Sequence, residues 1–222
     1  MTEHPFEIFR PYADRIRVRL YERRDNICND EDIERAEKLP VANPEQPHGT
    51  LTMRVYGPGH VPGADGVVTD TPRIALCARG ADCQMFVFYD PVHHAGGTLH
   101  AGWRSLVAGA LPACIEVMKR EWGTNPHDLI VGAGPSLCFD CGEFTDPVKE
   151  LSGVDEKFFR ARLADLCSIA TDQLHKAGVP LNNVERHRDC TRCDREHWWT
   201  LRGGDRDALA TGVRNLLTFS LL

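Results

Sequence analysis

The sequence predicts an α+β fold, a single layered domain over residues 1–222 in which a mixed β-sheet is flanked by helices. Segments with the alternating or continuous apolar pattern of strands are mixed with segments whose apolar residues recur at helical spacing. These segments do not follow a regular strand–helix–strand order, and no linker-like stretch divides the chain. This arrangement favours a layered α+β domain over a parallel α/β fold.

The N-terminal part predicts a strand, a helix and a second strand. Residues 15–24 alternate apolar side chains with arginines, the pattern of a half-buried strand. Residues 31–38 are acidic and predict a short helix, capped by the Asn or Asp that comes before it. The proline-rich segment 40–48 predicts a loop, and alternation returns in a strand at 50–56.

The central part predicts three strands and a helix. Residues 73–79 and 83–90 are strands, and the second is continuously apolar, which is typical of a central position in a sheet. A short strand follows at 98–101 and ends at Gly102. The apolar residues of 104–122 fall on one stripe at helical spacing, which predicts one long helix.

The C-terminal part predicts two further strand regions around a second long helix. Residues 128–133 form a strand and lead into a turn rich in Gly, Pro and Cys. An amphipathic pattern over 155–176 predicts a helix that ends at Gly178. Short strands at 183–188 and 212–220 complete the prediction.

Composition excludes several functional classes. The formal net charge of −6 argues against a general binder of nucleic acid or of acidic membranes, because such proteins need basic patches to displace counterions. No stretch has the roughly 20 apolar residues that a membrane span requires. The first residues lack the apolar run of a secretory signal, so we expect a cytoplasmic protein whose nine cysteines are mostly reduced.

Cys83 and His100 are the first candidates for chemistry. If 83–90 and 98–101 pair as a hairpin, these two residues lie together at the end away from the connecting loop. The pair could be a thiolate nucleophile with its base or two soft ligands for zinc, and the residues alone leave both open. Arg104 follows at a predicted helix start, where outward-facing N–H groups and a guanidinium suit an anion.

Three short motifs resemble the signatures of one family. They are QPHG at 46–49, ADC at 81–83 and HAGWR at 100–104. Together they resemble the YfiH-type family, also called the polyphenol oxidoreductase laccase or laccase-domain family and described as purine nucleoside phosphorylases. Weaker matches are ADGVVT at 64–69, GPSLCFDCGEF at 134–144 and CTRCDREHWWTLR at 190–202. The resemblance covers residues 44–219 and leaves 1–43 as a divergent N-terminal portion.

The resemblance implies that His48, Cys83 and His100 bind one zinc ion. Three ligands with an open fourth position are typical of a catalytic zinc, whereas a structural site uses four. Cys83 and His100 would then also be the catalytic residues. The resemblance further implies phosphorolysis of adenosine, inosine, guanosine and methylthioadenosine, and deamination of adenosine. The partners would therefore be a small-molecule nucleoside and inorganic phosphate.

Two arginines are candidates for holding the phosphate. Arg104 is the first and Arg202 the second. An alternative for Arg104 is an ion pair with Asp82 that stabilises the site.

Three other functions compete with the zinc enzyme. One is a zinc-free hydrolase or amidase that uses Cys83 and His100 and has no need of His48. Another is a protein that binds a metal or nucleoside without catalysis. Copper-dependent phenol oxidation is disfavoured because none of the ten histidines forms a His-x-His pair, although copper could bind adventitiously at a Cys/His site.

The chain also contains two CxxC motifs. Cys190 and Cys193 form one, and only Cys138 and Cys141 could complete a four-cysteine metal site with them. We expect these residues to be reduced cysteines that pack a turn.

Overall fold

The computed structural model describes all 222 residues and contains two six-stranded sheets. The first sheet has the spatial order β1 (Thr2–Glu3), β2 (Ile16–Tyr21), β14 (Asn215–Leu221), β7 (Ala75–Gly80), β3 (Val41–Pro44) and β5 (Gly59–Val61). The second has the order β13 (Val184–Arg186), β10 (Ile130–Ala133), β8 (Gln84–Asp90), β9 (Ala95–Ala101), β6 (Gly66–Thr69) and β4 (Thr52–Arg54).

Six α-helices, six short 3-10 helices and one small hairpin complete the structure. The helices are α1 (Asp30–Glu37), α2 (Trp103–Val107), α3 (Ala110–Trp122), α4 (Pro147–Glu150), α5 (Leu166–Lys176) and α6 (Arg206–Leu209). The hairpin consists of β11 (Phe159–Arg160) and β12 (Leu163–Ala164). No helix is both long and apolar enough to cross a membrane.

Both sheets are mixed. β3 pairs in parallel with β5 and β7, β4 with β6, and β10 with β13, whereas the remaining pairs are antiparallel. The predicted α+β class, with mixed sheet flanked by helices, is confirmed. The strands divide between two sheets, although the sequence predicts one, because local patterns do not specify which strands pair.

The two sheets pack face to face around the larger hydrophobic core. Leu20, Leu76 and Phe219 of the first sheet contact Val87 and Tyr89 of the second, and all five are buried. Burying one such side chain stabilises the fold by about 1.5–3 kcal/mol. The first sheet presents its other face to α1. On this face Arg19 of β2 donates to Glu37 of α1, so the arginine lies on the side opposite the apolar residues of the strand, as the alternation predicts.

A second core lies on the outer face of the second sheet. Phe86 and Leu99 of this sheet pack against Leu111 and Ile115 of α3 and Leu174 of α5. The order of layers is therefore helix, sheet, sheet, helices. Antiparallel pairing places the start of β8 beside the end of β9, where Gln84 lies opposite Ala101.

Three predicted elements, at 40–48, 104–122 and 155–176, differ from the structure. The predicted loop 40–48 contains β3, because parallel pairing with β5 and β7 extends a segment whose prolines obscure its pattern. The predicted helix 104–122 is split into α2 and α3 at Gly109, whose φ of +83° favours glycine.

The predicted helix 155–176 is helical only over α5. Its first part forms a 3-10 turn and the β11–β12 hairpin, and the Asp165 side chain caps α5 by accepting from Ser168 N. Backbone hydrogen bonds from Phe144 N to Arg162 O and from Ala164 N to Gly142 O attach the hairpin to the turn after β10. Tertiary contacts thus override the helical pattern.

Candidate metal centre

Three segments bring His48, Cys83 and His100 together. His48 lies in the connection between β3 and β4, which passes from the first sheet to the second. Cys83 directly precedes β8, and His100 is the penultimate residue of β9. Antiparallel pairing places His100 opposite Met85, so the hairpin brings Cys83 beside it as the sequence predicts.

The three side chains offer a compact set of donor atoms. Cys83 Sγ lies 3.8 Å from His48 Nε2, and the ring centres of His48 and His100 are 4.7 Å apart. One ligand atom from each of the three residues lies within 4.8 Å of the other two. A thiolate and two imidazoles at these separations fit one metal ion of the zinc type.

Asp65, the residue before β6, holds the centre in place. One of its carboxylate oxygens accepts from His48 N and His100 Nδ1, each at 3.0 Å, and the other accepts from Gly49 N at 2.6 Å. With Nδ1 engaged, the His100 ring presents Nε2 to the centre. The sequence pattern did not indicate this role, although Asp65 lies in the ADGVVT motif.

Hydrogen bonds keep Asp65 ionised. Burial by itself would raise the pKa of Asp65, but the bonds from His100 and from the Gly49 and His48 amides outweigh burial and lower the pKa below its usual value. A carboxylate that accepts from a ligating histidine fixes the orientation of the ring and increases its basicity.

Burial has opposite consequences for the thiol and for His48. Burial, with Asp82 and Asp65 nearby, raises the pKa of the Cys83 thiol to about 12. Such a thiol is protonated and weakly nucleophilic at neutral pH, whereas a bound divalent cation would favour its thiolate. Desolvation and the neighbouring His100 lower the pKa of His48, which keeps that imidazole neutral and able to ligate.

Gly102 provides the space that the His48 and Cys83 side chains occupy. A Cβ on this residue would lie 2.8 Å from His48 Cδ2 and 3.1 Å from Cys83 Sγ. The φ of −68° and ψ of 170° at Gly102 are open to other residues, so the local need for glycine is steric.

Asp82 is buried and does not pair with Arg104. Its carboxylate accepts from Thr191 Oγ1 at 2.7 Å, Thr200 Oγ1 at 2.6 Å and the Arg202 backbone N–H at 2.7 Å. The alternative that Arg104 forms an ion pair with Asp82 is therefore wrong, because the carboxylate is already satisfied by these three donors. The guanidinium of Arg104 instead stacks on the Trp103 ring at 4.2 Å.

Two cavities meet at the candidate centre. The smaller, of about 210 Å³, is lined by His48, Cys83, Arg104 and Arg202. The larger, of about 480 Å³, is lined by His48, Cys83, His100, Glu45, Arg79, Arg206 and Arg214 among others. Both predicted arginines, Arg104 and Arg202, thus face the smaller cavity. Three further arginines, which the sequence did not indicate as candidates, face the larger one.

The chain belongs to the multi-copper polyphenol oxidoreductase laccase family, whose model matches residues 18–215. The resemblance seen in the motifs is therefore confirmed. The match also extends into the N-terminal portion that the motifs set apart as divergent.

Individual relatives match part of the chain. A purine nucleoside phosphorylase of Bacteroides thetaiotaomicron is 31% identical over 150 residues, which are 63% of this chain and 56% of that protein. Adenosine deaminase RL5, from an unknown prokaryotic organism, is 29% identical over 63% of this chain and 57% of that protein. The matched segments thus span little more than half the length of these relatives.

Solved structures share the whole fold. The YfiH protein of Bacillus licheniformis superposes with a TM-score of 0.79 at 19% identity, covering 93% of this chain and 92% of that one. At this identity the likeness shows the fold alone.

Proposed function

We propose that this protein is a zinc-dependent purine nucleoside phosphorylase that acts on adenosine, inosine, guanosine or methylthioadenosine. The observation that carries the proposal is the convergence of His48, Cys83 and His100 beside two arginine-lined cavities. His48 and Cys83 line both cavities, and His100 lines the larger one. The names of relatives such as the Bacteroides protein supply the reaction class.

The donor set favours zinc over a copper cluster. Two groups of side chains are placed to hold a metal, and together they contain two histidines, His48 and His100. A multicopper oxidase centre needs many clustered histidines. A zinc ion held by these residues would supply a Lewis acid that polarises an oxygen atom of the substrate.

The residues of the chain then position the reactants. The larger cavity, of about 480 Å³, lies within the size range of small-molecule sites and has room for a nucleoside. Asp65 fixes the His100 ring, and Asp82 fixes the segment next to Cys83. In phosphorolysis a phosphate oxygen bonds to C1′ of the ribose while the bond from C1′ to the base breaks, and the base takes up a proton.

The phosphate needs cationic groups that are not already neutralised. The Arg104 side chain is exposed and forms no hydrogen bond or ion pair within the chain, so its N–H groups are available. Arg202 is more committed, because its guanidinium donates to Cys141 O at 3.1 Å and to Glu143 O. We therefore keep Arg104 as the first candidate and Arg202 as the second.

The larger cavity contains an alternative phosphate site. Arg79, Arg206 and Arg214 form no ion pair, and the guanidinium groups of Arg79 and Arg214 bond only to backbone carbonyls. Burial, with the charge of Arg79 nearby, lowers the pKa of Arg214, so an anion between these side chains would be favoured. Replacing one arginine of each cavity distinguishes the two phosphate sites.

Deamination of adenosine is a second candidate, supported by the relative named adenosine deaminase RL5. The same three ligands would serve it, with water in place of phosphate as the nucleophile. A zinc-free hydrolase based on Cys83 and His100 is less well supported, because the thiol pKa of about 12 disfavours a free nucleophilic thiolate.

Chromatographic product analysis tests the proposal. Zinc-loaded protein is incubated with adenosine, with and without phosphate. Adenine and ribose 1-phosphate formed only with phosphate indicate phosphorolysis, and inosine formed in both conditions indicates deamination. The absence of both products after incubation with folded, zinc-loaded protein would overturn the proposal. Full activity of a His48→Ala variant would also overturn it.

Arginine variants then locate the phosphate. Arg104→Gln should raise the KM for phosphate if the smaller cavity holds it, and Arg214→Gln should do so if the larger cavity holds it. Arg160→Gln is the matched control, because Arg160 is exposed and lines neither cavity.

A further inference from the structure

Two CxxC motifs meet away from the His48, Cys83 and His100 centre. Cys138 and Cys141 lie in the turn after β10, and Cys190 and Cys193 lie in the segment after β13. All four sulfur atoms lie within 4.8 Å of one another. The sequence predicts reduced cysteines that pack a turn, and all four are free in the structure. The structure also brings together the thiols of two segments about 50 residues apart.

The separations match a tetrahedral metal site. Four sulfurs at about 2.3 Å from a zinc ion stand about 3.8 Å from one another. Cys138 Sγ and Cys141 Sγ lie 3.9 Å and 3.6 Å from Cys193 Sγ, respectively. A disulfide would need a sulfur–sulfur distance near 2.05 Å, and all nine cysteines of the chain are free.

The backbone around the cluster is arranged for thiolate ligands. The Cys138 N–H donates to Cys190 Sγ at 3.2 Å, a bond that stabilises negative charge on the sulfur. Each CxxC segment is also closed by its own turn, through Cys141 N to Cys138 O at 3.1 Å and Asp194 N to Cys190 O at 3.0 Å. These turns direct both sulfurs of a motif to the same point.

We propose that Cys138, Cys141, Cys190 and Cys193 bind a second zinc ion in a structural role. Four thiolates fill the coordination sphere of zinc and leave no open position, which distinguishes this site from the three-ligand centre. Soft sulfur ligands in a tetrahedral set select zinc over hard cations such as Mg²⁺.

The second ion would fix one wall of the smaller cavity. The two cysteine segments already meet through a bridge between Ser136 and Cys190 and a hydrogen bond from Thr191 N to Ser136 O at 3.1 Å. Thr191, next to Cys190, donates to Asp82, the neighbour of Cys83. Ser136 also lines the smaller cavity. Zinc at the four cysteines thus connects the C-terminal segment to the catalytic edge of the sheet.

Metal analysis of purified protein tests this inference. We expect two equivalents of zinc per chain in the wild-type protein, one for each group of ligands. The double variant Cys141→Ser/Cys190→Ser should lose one equivalent, and so should His48→Ala/His100→Ala. Cys28→Ser is the matched control and should keep both, because Cys28 lies outside both groups.

A second measurement covers a cysteine variant that fails to fold. The His48→Ala/His100→Ala protein retains only the four-cysteine site, so cobalt loading should produce the intense sulfur-to-cobalt charge-transfer absorption of a tetrathiolate. The inference is overturned if this folded variant holds neither zinc nor cobalt, or if mass spectrometry of the unreduced protein finds these cysteines in two disulfides. If the His48→Ala/His100→Ala variant retains one ion while the wild-type protein shows no activity on nucleosides, the four-cysteine site is supported and the proposed function is refuted.

Discussion

Replacing Gly102 with alanine tests the candidate metal centre with a single methyl group. The backbone angles at Gly102 suit alanine, so the substitution carries no conformational strain of its own. The new Cβ would lie 2.8 Å from His48 Cδ2 and 3.1 Å from Cys83 Sγ. Carbon atoms in contact prefer about 3.5–4.0 Å, so the His48 ring must move away by roughly 0.7–1.2 Å.

A shift of this size is large for a metal ligand. Metal–ligand distances in working sites vary by only about 0.2 Å, so the displaced ring can no longer bind with the geometry set by Cys83 and His100. We expect the zinc affinity of this centre to fall at least about tenfold, equivalent to about 1.4 kcal/mol. The proposed phosphorolysis should fall in parallel.

Competition with a fluorescent zinc chelator measures the affinity, and circular dichroism checks that the variant remains folded. Gly57→Ala is the matched control, because a Cβ at Gly57 meets no atom within 4 Å. Zinc affinity and nucleoside activity that stay at the wild-type level in folded Gly102→Ala protein would refute the placement of His48 and Cys83 as ligands.

Three further predictions concern buried carboxylates. Asp65→Asn should weaken zinc binding by about 10–100-fold, because an amide cannot accept from His100 and both backbone amides at once; an unchanged chelator-competition curve would contradict this. Asp82→Asn should lower the free energy of unfolding by about 2 kcal/mol in urea titrations, since one of its three donors loses its acceptor; a change below about 0.5 kcal/mol would count against it. Burial opposes ionisation of Asp90, but hydrogen bonds from the His93 side chain and the His93 amide outweigh burial and lower the pKa of Asp90. This carboxylate therefore stabilises the fold above the unfolded-state pKa of about 4 and ceases to do so as the pH falls through its lower folded-state pKa. Acid unfolding followed by fluorescence should therefore be less steep for Asp90→Asn than for the wild type, and identical profiles would contradict the assignment.

Local patterns in the sequence were sufficient for much of the framework. The alternation at 15–24 predicted β2 and the faces of its side chains, and Asn29 does cap α1 by accepting from Asp32 N. Such features depend on residues close together in the chain, so periodicity and capping chemistry can be recognised without a structure. The motifs around His48, Cys83 and His100 likewise identified the family.

The tertiary structure decided which of these residues act together. The sequence did not reveal that Asp65 would hold His100, that Arg79 and Arg214 would face the larger cavity, or that the chain would form two sheets. It also placed the two CxxC motifs in separate turns, and their convergence depends on the parallel pairing of β10 with β13. Sheet pairing between distant segments follows from the packing of the whole chain. Local sequence therefore determines which reactive side chains are present, and the fold determines which of them lie together.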